Sequence, residues 1–378
     1  MNNAASTAYR GDTDCRSRVD AVHRAIASGP SSRLDGTGST SGLKSFAVQA
    51  CSHPGHSNRR KARLDARHSA CQDRVMVDWE NLTPLNADGS LLGDASRHPG
   101  FADPAYVRRR NRITAAAAGH RVGDPYGPVT YTPAEHSTWR TVHTAVRAGQ
   151  DEWACREVLA ARAGAPVPAD AVPQHAEVSD ALQALTGFRF TLAGGIVANK
   201  RFLGAMAEGF FHAVQYVRHP AMPLYTPEPD VLHDVFGHGI HLADPFFADL
   251  YRTVGAAAAR VDSADALDLI SRVYWFTLEY GVLLEAGNPK AYGAALLSSS
   301  GELARFTRAD LRPWNLTEAV RLPYQVAGYQ PVLFTLGSPA HLADVLHSLL
   351  DDFDETTRDR HRLPALPDRG FMAHPRNR

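Results

Sequence analysis

The chain has 378 residues, of which 44% are hydrophobic and 21% are charged, and its 40 basic and 40 acidic residues give a formal net charge of zero. This composition is typical of a globular protein with a sizeable core. The charge balance provides no field of one sign over the whole molecule, which argues against a nucleic acid or an anionic membrane as the partner.

The cysteines and the apolar runs indicate the cellular compartment. The four cysteines form no CxxC pair, and the N-terminal residues include no apolar segment typical of a secretory signal. No apolar run in the sequence is long enough to span a bilayer. We therefore expect a cytoplasmic protein with reduced cysteines that does not act in a membrane.

Residues 1–75 are rich in Ser, Gly, Arg and His and show no sustained apolar periodicity. Such a segment buries too little apolar surface to offset the entropy lost on ordering. We predict that it is either a disordered extension or the product of an incorrectly assigned start codon. Globular character begins at Met76, and we predict one mainly helical domain over residues 76–378.

Helical patterns dominate this domain. One or two helices are predicted over Ala134–Leu159, and apolar residues at helical spacing predict another over Phe202–Val217. A further helix is predicted over about Ala264–Ala286, with Asp262 and Asp265 forming a start that resembles a capping box.

The last predicted helix begins at Ser338 and Pro339, which suit the N-cap and the first helical position. Strand signals are few and short, as at Val129–Thr132. The predicted fold is therefore mainly α with a few short strands.

Two histidines five residues apart, His233 and His238, flank Gly237. On an ideal α-helix such residues lie about 140° apart around the axis, which separates two ligands of one metal. Gly237 lets the helix end or distort just before His238. The spacing and the absence of the intervening Glu exclude the HExxH pattern of zinc proteases.

Glu279 is the candidate for a third ligand, because the segment Tyr274–Leu284 around it is apolar on almost every side and is expected to be buried. Two imidazoles and one carboxylate leave metal positions open, as a non-haem Fe(II) that binds O₂ requires. Alternatives from spacing alone are hydrogen-bonded core histidines, an ion pair of Glu279 with Arg272, and zinc in a hydrolase. We expect His241 to lie outside the ligand set, in a supporting or surface position.

These residues belong to a longer series of motifs, in one order from about His98 to Asp352, that resembles the pterin-dependent aromatic amino acid hydroxylases, the bacterial phenylalanine hydroxylases in particular. The motifs are His98–Tyr106, Thr186–Phe190, Gln215–His219, Tyr225–His238, Tyr274–Glu279 and Lys290–Ser299.

The resemblance implies a single hydroxylase catalytic domain over residues 76–378 with a buried iron site. It implies an enzyme that uses Fe(II), a tetrahydropterin (tetrahydrobiopterin or a bacterial equivalent) and O₂ to hydroxylate the ring of an aromatic amino acid. The implied iron ligands are His233, His238 and Glu279. Residues implied to bind the substrate are Arg218, Thr226, Pro229, Asp230, Trp275, Ser298 and Thr335. Residues implied to bind the pterin are Gly195, Val197, Asn199, Phe202, His212, Asp234 and Tyr274.

The sequence departs from the family pattern around the pocket, at Asp234, Asn199 and Thr335. The expected reaction is the conversion of L-phenylalanine to L-tyrosine, with tryptophan as substrate or the meta position of phenylalanine as alternatives. A zinc hydrolase and a non-catalytic protein that binds a metal or an amino acid are the alternatives of another class. No heptad repeat follows Asp352, so we expect a monomer.

Overall fold

The computed structural model describes residues 99–195, 197–324 and 328–367. The predictions made for residues 1–75 lie outside these ranges. The α-helices of the described residues are α1 (Pro104–Thr114), α2 (Pro133–Trp153), α3 (Arg156–Gly164), α4 (His175–Thr186), α5 (Asn199–Ala207), α6 (Val231–His233), α7 (Ile240–Leu242), α8 (Pro245–Ala259), α9 (Ala264–Tyr274), α10 (Ala294–Leu297), α11 (Ser300–Leu303), α12 (Leu316–Arg321), α13 (Pro339–Leu350) and α14 (Thr357–Arg360).

Two segments, Asp234–Gly239 and Trp275–Glu279, are π-helical. Short 3₁₀ turns occupy Pro99–Ala102, Ala115–Ala117 and Phe306–Arg308. Among the described residues, no helix combines the length and the apolar character that crossing a membrane requires.

The strands are short and form two small sheets. They are β1 (Arg189–Leu192), β2 (Phe210–Ala213), β3 (Val282–Glu285), β4 (Asn288–Ala291), β5 (Asp310–Pro313) and β6 (Val332–Leu336). Strands β1 and β2 pair in parallel, and the second sheet has the order β4-β3-β6-β5, with β3 and β4 antiparallel and the other pairs parallel. The prediction of a mainly α fold with a few short strands is confirmed.

Helices α2 and α3 confirm the prediction of one or two helices over Ala134–Leu159. At α13 the hydroxyl of Ser338 accepts a hydrogen bond from the backbone N–H of His341 at 3.1 Å, and Pro339 is the first helical residue, as predicted. At α13, and at α2 with its capping box of Thr132 and Glu135, the local capping chemistry agrees with the apolar periodicity.

Two predicted elements are wrong. The helix over Phe202–Val217 stops at Ala207, because Gly209 takes a left-handed conformation (φ 77°), and the chain then enters β2. Apolar residues on consecutive turns and on a buried strand give similar patterns over such a short run. Residues Val129–Thr132 form no strand: the N–H of Val129 donates to the side chain of Gln174 at 2.9 Å, and Thr132 caps α2.

The helix predicted over Ala264–Ala286 is shorter than expected. It begins after Ser263, whose hydroxyl accepts from the N–H of Ala266 at 3.1 Å, so Ser263 and not Asp262 is the N-cap. The α-helix ends at Tyr274, continues as the second π-helical segment and gives way to β3.

Helix α8 packs closely against the end of α5. A Cβ added to Gly255 in α8 would lie 2.2 Å from the backbone N of Ala207. A Cβ added to Gly204, within α5, would meet nothing within 4 Å. A side chain would therefore clash with the backbone at position 255 but would fit at position 204.

We predict that Gly255→Ala lowers the free energy of unfolding by about 1–3 kcal/mol or more, because the backbones of α5 and α8 must separate. The matched change Gly204→Ala should raise it by up to about 1 kcal/mol, as expected for alanine in an open helical position. Chemical denaturation of both variants is the measurement. Equal effects of the two changes would contradict the close packing of these helices.

Candidate metal centre and its cavity

Three ionisable side chains converge in the interior. The Nε2 atoms of His233 and His238 lie 2.9 Å apart. The Nε2 of His238 is 3.2 Å from Oε1 of Glu279, and the Nε2 of His233 is 3.8 Å from Oε2 of the same carboxylate. His238 and Glu279 are buried, and His233 is half-buried. The three residues predicted to be metal ligands thus lie together.

The π-helical backbone explains the spacing of the histidines. Its i→i+5 hydrogen bonds bring residues five positions apart onto one face, and π-helical turns of this kind are frequent at functional sites. The segment Asp234–Gly239 carries His238 and directly follows His233, and Glu279 ends the other π-helical segment. The predicted distortion before His238 is confirmed.

The reason for Gly237 differs from the predicted one. Its φ is not left-handed, so the backbone conformation does not demand glycine. A Cβ at this position would instead lie 2.5 Å from the carbonyl oxygen of Ala294. Glycine is required because α10 approaches the π-helical turn too closely for any side chain.

Hydrogen bonds fix which histidine nitrogens are free. Ser298 donates its hydroxyl proton to the carbonyl of Ala295 (3.3 Å), so its oxygen accepts from the Nδ1–H of His233 at 2.9 Å. The Nδ1 of His238 is bonded to the hydroxyl of Tyr251 at 2.7 Å. These partners leave the Nε2 atoms of both rings facing one another and Glu279.

The protonation states suit metal binding. Burial lowers the pKa of His233 to about 4, and the neighbouring His238 contributes to this shift. Burial alone would raise the pKa of Glu279, but His238 and His233 outweigh it and lower that pKa to about 2. At neutral pH the cluster therefore offers a neutral imidazole at His233 and an ionised carboxylate, the forms that coordinate a metal.

These donors fit a divalent transition metal. With bonds of about 2.1 Å, ligand atoms at right angles lie about 3 Å apart, close to the separations seen here. A cation held among two imidazole nitrogens and a carboxylate at such distances is attracted by the lone pairs of all three groups. The alternative of an ion pair with Arg272 is wrong: its Nε bonds Asp268 at 3.1 Å and its Nη1 bonds the carbonyl of Leu322 at 2.8 Å.

A second cluster, Cys155, Glu157 and Glu285, also has ligand atoms close together. Burial raises the pKa of the Cys155 thiol to about 12, so it is protonated at neutral pH. The carboxylate of Glu285 accepts from the backbone N–H of Arg156 at 2.7 Å. This cluster is a poorer metal site than the first, since the thiolate is the form that binds metals.

One cavity contains the metal-ligand cluster and most residues predicted to bind the substrate. Its lining includes Arg218, Thr226, Pro229, Trp275 and Ser298. Ser298 has the further contact with His233 described above. Trp275 packs against Tyr280 and Tyr324, with ring centroids 4.8 and 4.6 Å away.

Asp230 lies behind the cavity wall and holds Arg218 in place. Its carboxylate accepts from the Nε and Nη2 of Arg218 at 3.0 and 2.8 Å, and both residues are buried. The same carboxylate accepts from the backbone N–H of His233 at 3.3 Å. One side chain therefore orients a guanidinium group and caps the helix that carries a metal ligand.

An ion pair that sequence reasoning missed anchors the adjoining loop. Glu228 accepts from the Nη2 of Arg110 at 2.7 Å, with both side chains fully buried, and the guanidinium lies 4.1 Å from the centre of the Tyr216 ring. Thr226 donates to the carbonyl of Glu228 at 3.0 Å. Helix α1 is arginine-rich along its length, so the sequence carries no signal that singles out Arg110.

Glu302 is a second residue that sequence reasoning missed. It lines the cavity, and burial raises its pKa to about 7. It lies four residues after Ser298, just beyond the motif Lys290–Ser299. An acidic residue so close to that motif was the signal in the sequence that could have identified it.

Most residues predicted to bind the pterin also line this cavity. These are Gly195, Val197, Phe202, His212, Asp234 and Tyr274. Neither ring nitrogen of His212 has a hydrogen-bond partner, and burial lowers its pKa to about 4. Asp234 accepts from the N–H of Val214 at 2.7 Å, and burial raises its pKa. Unpaired buried nitrogens in a cavity wall are suited to a polar heterocycle.

Besides Asp230, two predicted residues do not line the cavity. Thr335 lies in β6, where its hydroxyl donates to the carbonyl of Arg312 at 3.2 Å because β5 runs alongside. Asn199 is the first residue of α5 and contributes nothing to the lining. Departures from the family pattern at these positions therefore do not alter the cavity wall directly.

Comparisons with known proteins agree with this geometry. The model of the family described as biopterin-dependent aromatic amino acid hydroxylase matches residues 87–357. The phenylalanine 3-hydroxylase of Streptomyces coeruleorubidus is 43% identical over 258 residues, covering 68% of this chain and 92% of that protein. The chloroplastic phenylalanine 4-monooxygenase of Chlamydomonas reinhardtii is 38% identical over 288 residues, 75% of this chain and 78% of that protein.

Among solved structures, the phenylalanine hydroxylase of Chromobacterium violaceum with bound iron(III) and 7,8-dihydrobiopterin is similar, with a TM-score of 0.59 and 25% identity. The match covers 70% of this chain and 94% of that one.

We predict that the chain binds one divalent transition metal ion, measured by calorimetric titration with Co(II). Substitutions next to a metal ligand typically weaken binding by about 10- to 100-fold. The change Glu279→Gln should weaken it by more than this, because it removes the charge of a ligand. The matched change Glu285→Gln, in the second cluster, should leave the affinity unaltered. Loss of binding in Glu285→Gln and not in Glu279→Gln would contradict the assignment.

Proposed function

Because this chain belongs to the biopterin-dependent aromatic amino acid hydroxylases, we propose that it is an Fe(II)- and tetrahydropterin-dependent monooxygenase that hydroxylates the ring of L-phenylalanine. The observation that carries the proposal is a single cavity lined by His233, His238 and Glu279, by the Arg218 guanidinium and by aromatic and proline side chains. Each part of a bound aromatic amino acid has a chemically matched group there.

The metal and the pterin, when bound, supply the activation of O₂ and the two electrons that reduce one of its oxygen atoms to water. We propose that His233, His238 and Glu279 would hold the iron, and that three protein ligands would leave coordination positions for other ligands. All three residues line the cavity proposed to hold the substrate ring.

Arg218 is proposed to bind the carboxylate of the amino acid. Its Nε and Nη2 donate to Asp230, its Nη1 donates to the carbonyl of Pro223 at 3.4 Å, and the side chain lines the cavity, where its planar fork has further N–H groups to offer. Burial of the pair strengthens a charge-assisted contact with the substrate and limits movement of the guanidinium. Asp230 acts by orienting Arg218, and Thr226 and Ser298 are proposed to adjoin the polar end of the same substrate.

Phe202 and His212 are proposed to contact the pterin. The ring of Phe202 stands edge-on to Tyr274, with centroids 5.8 Å apart, and both residues line the cavity. A flat heterocycle stacks favourably on such an aromatic wall, and the nitrogens of His212 provide polar partners. Asp234 keeps one carboxylate oxygen beyond its bond to Val214, and Gly195 and Val197 supply adjacent backbone.

Phenylalanine is the proposed substrate because Pro227, Pro229 and Trp275 give the cavity an apolar wall. An apolar pocket discriminates only weakly against an added hydroxyl or a larger ring, so tyrosine and tryptophan belong in the test. Para-hydroxylation to L-tyrosine is the product expected from the sequence. Meta-hydroxylation is the second candidate, favoured by the 43% identity to a phenylalanine 3-hydroxylase of which 92% is covered.

Membership of the family argues against the zinc hydrolase and the non-catalytic binder, and all three candidate ligands are present. A monomeric state and a cytoplasmic location stay predictions.

The experiment is incubation of the Fe(II)-loaded protein with tetrahydrobiopterin, O₂ and an equimolar mixture of Phe, Tyr and Trp, with products identified by mass and retention time. We expect hydroxylated phenylalanine that depends on both iron and pterin. Para-tyrosine or meta-tyrosine identifies the ring position. Hydroxylation of Trp or Tyr alone would reject phenylalanine as the substrate, and the absence of any product with both cofactors bound would reject the monooxygenase itself.

A second prediction concerns Arg218. The change Arg218→Lys should lower kcat/KM for the amino acid by about 10- to 100-fold, because a point charge replaces a planar bidentate donor. Steady-state kinetics compare it with Arg109→Lys, whose arginine forms a partly exposed ion pair with Glu135 and should tolerate the change. With phenethylamine, which lacks the carboxylate, Arg218→Lys should show little further loss. Equal losses on both compounds would contradict the proposed contact.

A further inference from the structure

His241 lies outside the metal-ligand cluster, yet it is completely buried. Its ring stacks on Phe247, with centroids 4.3 Å apart and an interplanar angle of 11°. The sequence indicated only a supporting or surface position. A buried imidazole with both nitrogens engaged has a defined hydrogen-bond direction, which can be worked out from its partners.

A continuous chain of hydrogen bonds joins His241 to His238. The Nε2 of His241 lies 2.7 Å from the backbone carbonyl oxygen of Tyr292. Its Nδ1 lies 3.0 Å from the hydroxyl of Tyr251. The same hydroxyl lies 2.7 Å from the Nδ1 of His238.

The carbonyl end sets the direction of the whole chain. A carbonyl only accepts, so the Nε2 of His241 carries the hydrogen. Burial lowers the pKa of His241 to about 3, so its ring is neutral and its Nδ1 is an acceptor. Tyr251 has one hydroxyl hydrogen and gives it to that acceptor, so its oxygen must accept from the Nδ1–H of His238.

We infer that Tyr251 and His241 are positioning residues that hold His238 in the one tautomer whose Nε2 lone pair faces the metal position. This inference rests on the proposed metal site and extends it by two residues. Hydrogen bonds in series polarise one another, so the carbonyl of Tyr292 also increases the electron density that His238 offers to a metal.

The direction of these hydrogen bonds leads us to expect that one substitution partly compensates for another. Without an acceptor at position 241, the Tyr251 hydroxyl can donate to the Nδ1 of His238, 2.7 Å away. That reversal moves the hydrogen of His238 to Nε2 and blocks the lone pair that binds the metal. Removing the Tyr251 hydroxyl as well abolishes the reversed bond. The second substitution should therefore restore part of the metal affinity lost through the first.

The test is a double-mutant cycle on the full chain, with Co(II) affinity as the readout. His241→Phe keeps an aromatic ring against Phe247 and should weaken Co(II) binding by about 10- to 100-fold. Tyr251→Phe should weaken it less, and the double variant should match Tyr251→Phe and bind more tightly than His241→Phe. His241→Asn, which keeps an acceptor toward Tyr251, should stay closest to the unaltered protein.

Nitrogen-15 NMR of the metal-free histidine rings gives the tautomer directly. We expect the hydrogen of His238 on Nδ1 in the unaltered protein and on Nε2 in His241→Phe. Tyr126→Phe is the matched control, because it removes another hydroxyl that donates to a carbonyl, that of Phe190 at 3.1 Å, without touching this chain of bonds. It should change neither readout.

Additive losses in the cycle, with the double variant binding most weakly, would overturn the inference in favour of a purely structural role. An Nδ1–H tautomer that persists in His241→Phe would overturn it as well, and this result needs no bound metal. If His241→Phe does not fold, Tyr251→Phe and His241→Asn still give the comparison. Neither readout uses hydroxylase activity, so failure of the inference is distinguishable from failure of the proposed reaction.

Discussion

The convergence of two imidazole nitrogens and a carboxylate in a buried space is the constraint on which the rest of this structure depends. Burying three polar groups together costs free energy unless they are paired or bind a cation, and the surrounding chain fixes them in place. Two π-helical segments bring the three residues into register. Gly237 allows α10 to close against the first segment. Both π-helical segments of the described residues therefore lie where candidate ligands are held.

The carboxylate of Asp230 links this cluster to the remainder of the cavity. It binds the guanidinium of Arg218 and caps the turn that carries His233. The buried pair of Arg110 and Glu228 fixes the loop on the other side. A short path of hydrogen bonds thus ties Arg218 to His233, a candidate metal ligand. Positioning of this kind is what an enzyme needs when the cofactors carry the chemistry.

The candidate metal site was predictable because a polar residue in an apolar segment is costly to bury unless it is paired or binds a metal. Glu279 stands out for that reason, and the spacing of His233 and His238 pointed to a distorted helix. The failures arose where long-range contacts decide the outcome. Strand β2 exists because β1 lies beside it, and short apolar runs do not distinguish strand from helix. Thr335 is turned to a neighbouring strand, and no local pattern reveals the partners of His241.

The most direct test of the metal assignment is a crystal structure of the Fe(II)-loaded chain, with anomalous scattering recorded at the iron edge. We predict one iron, bonded to the Nε2 atoms of His233 and His238 and to the carboxylate of Glu279, with its remaining positions open to the cavity that Arg218 lines. Iron at the Cys155 cluster, or iron bonded through an Nδ1 atom of either histidine, would contradict the account.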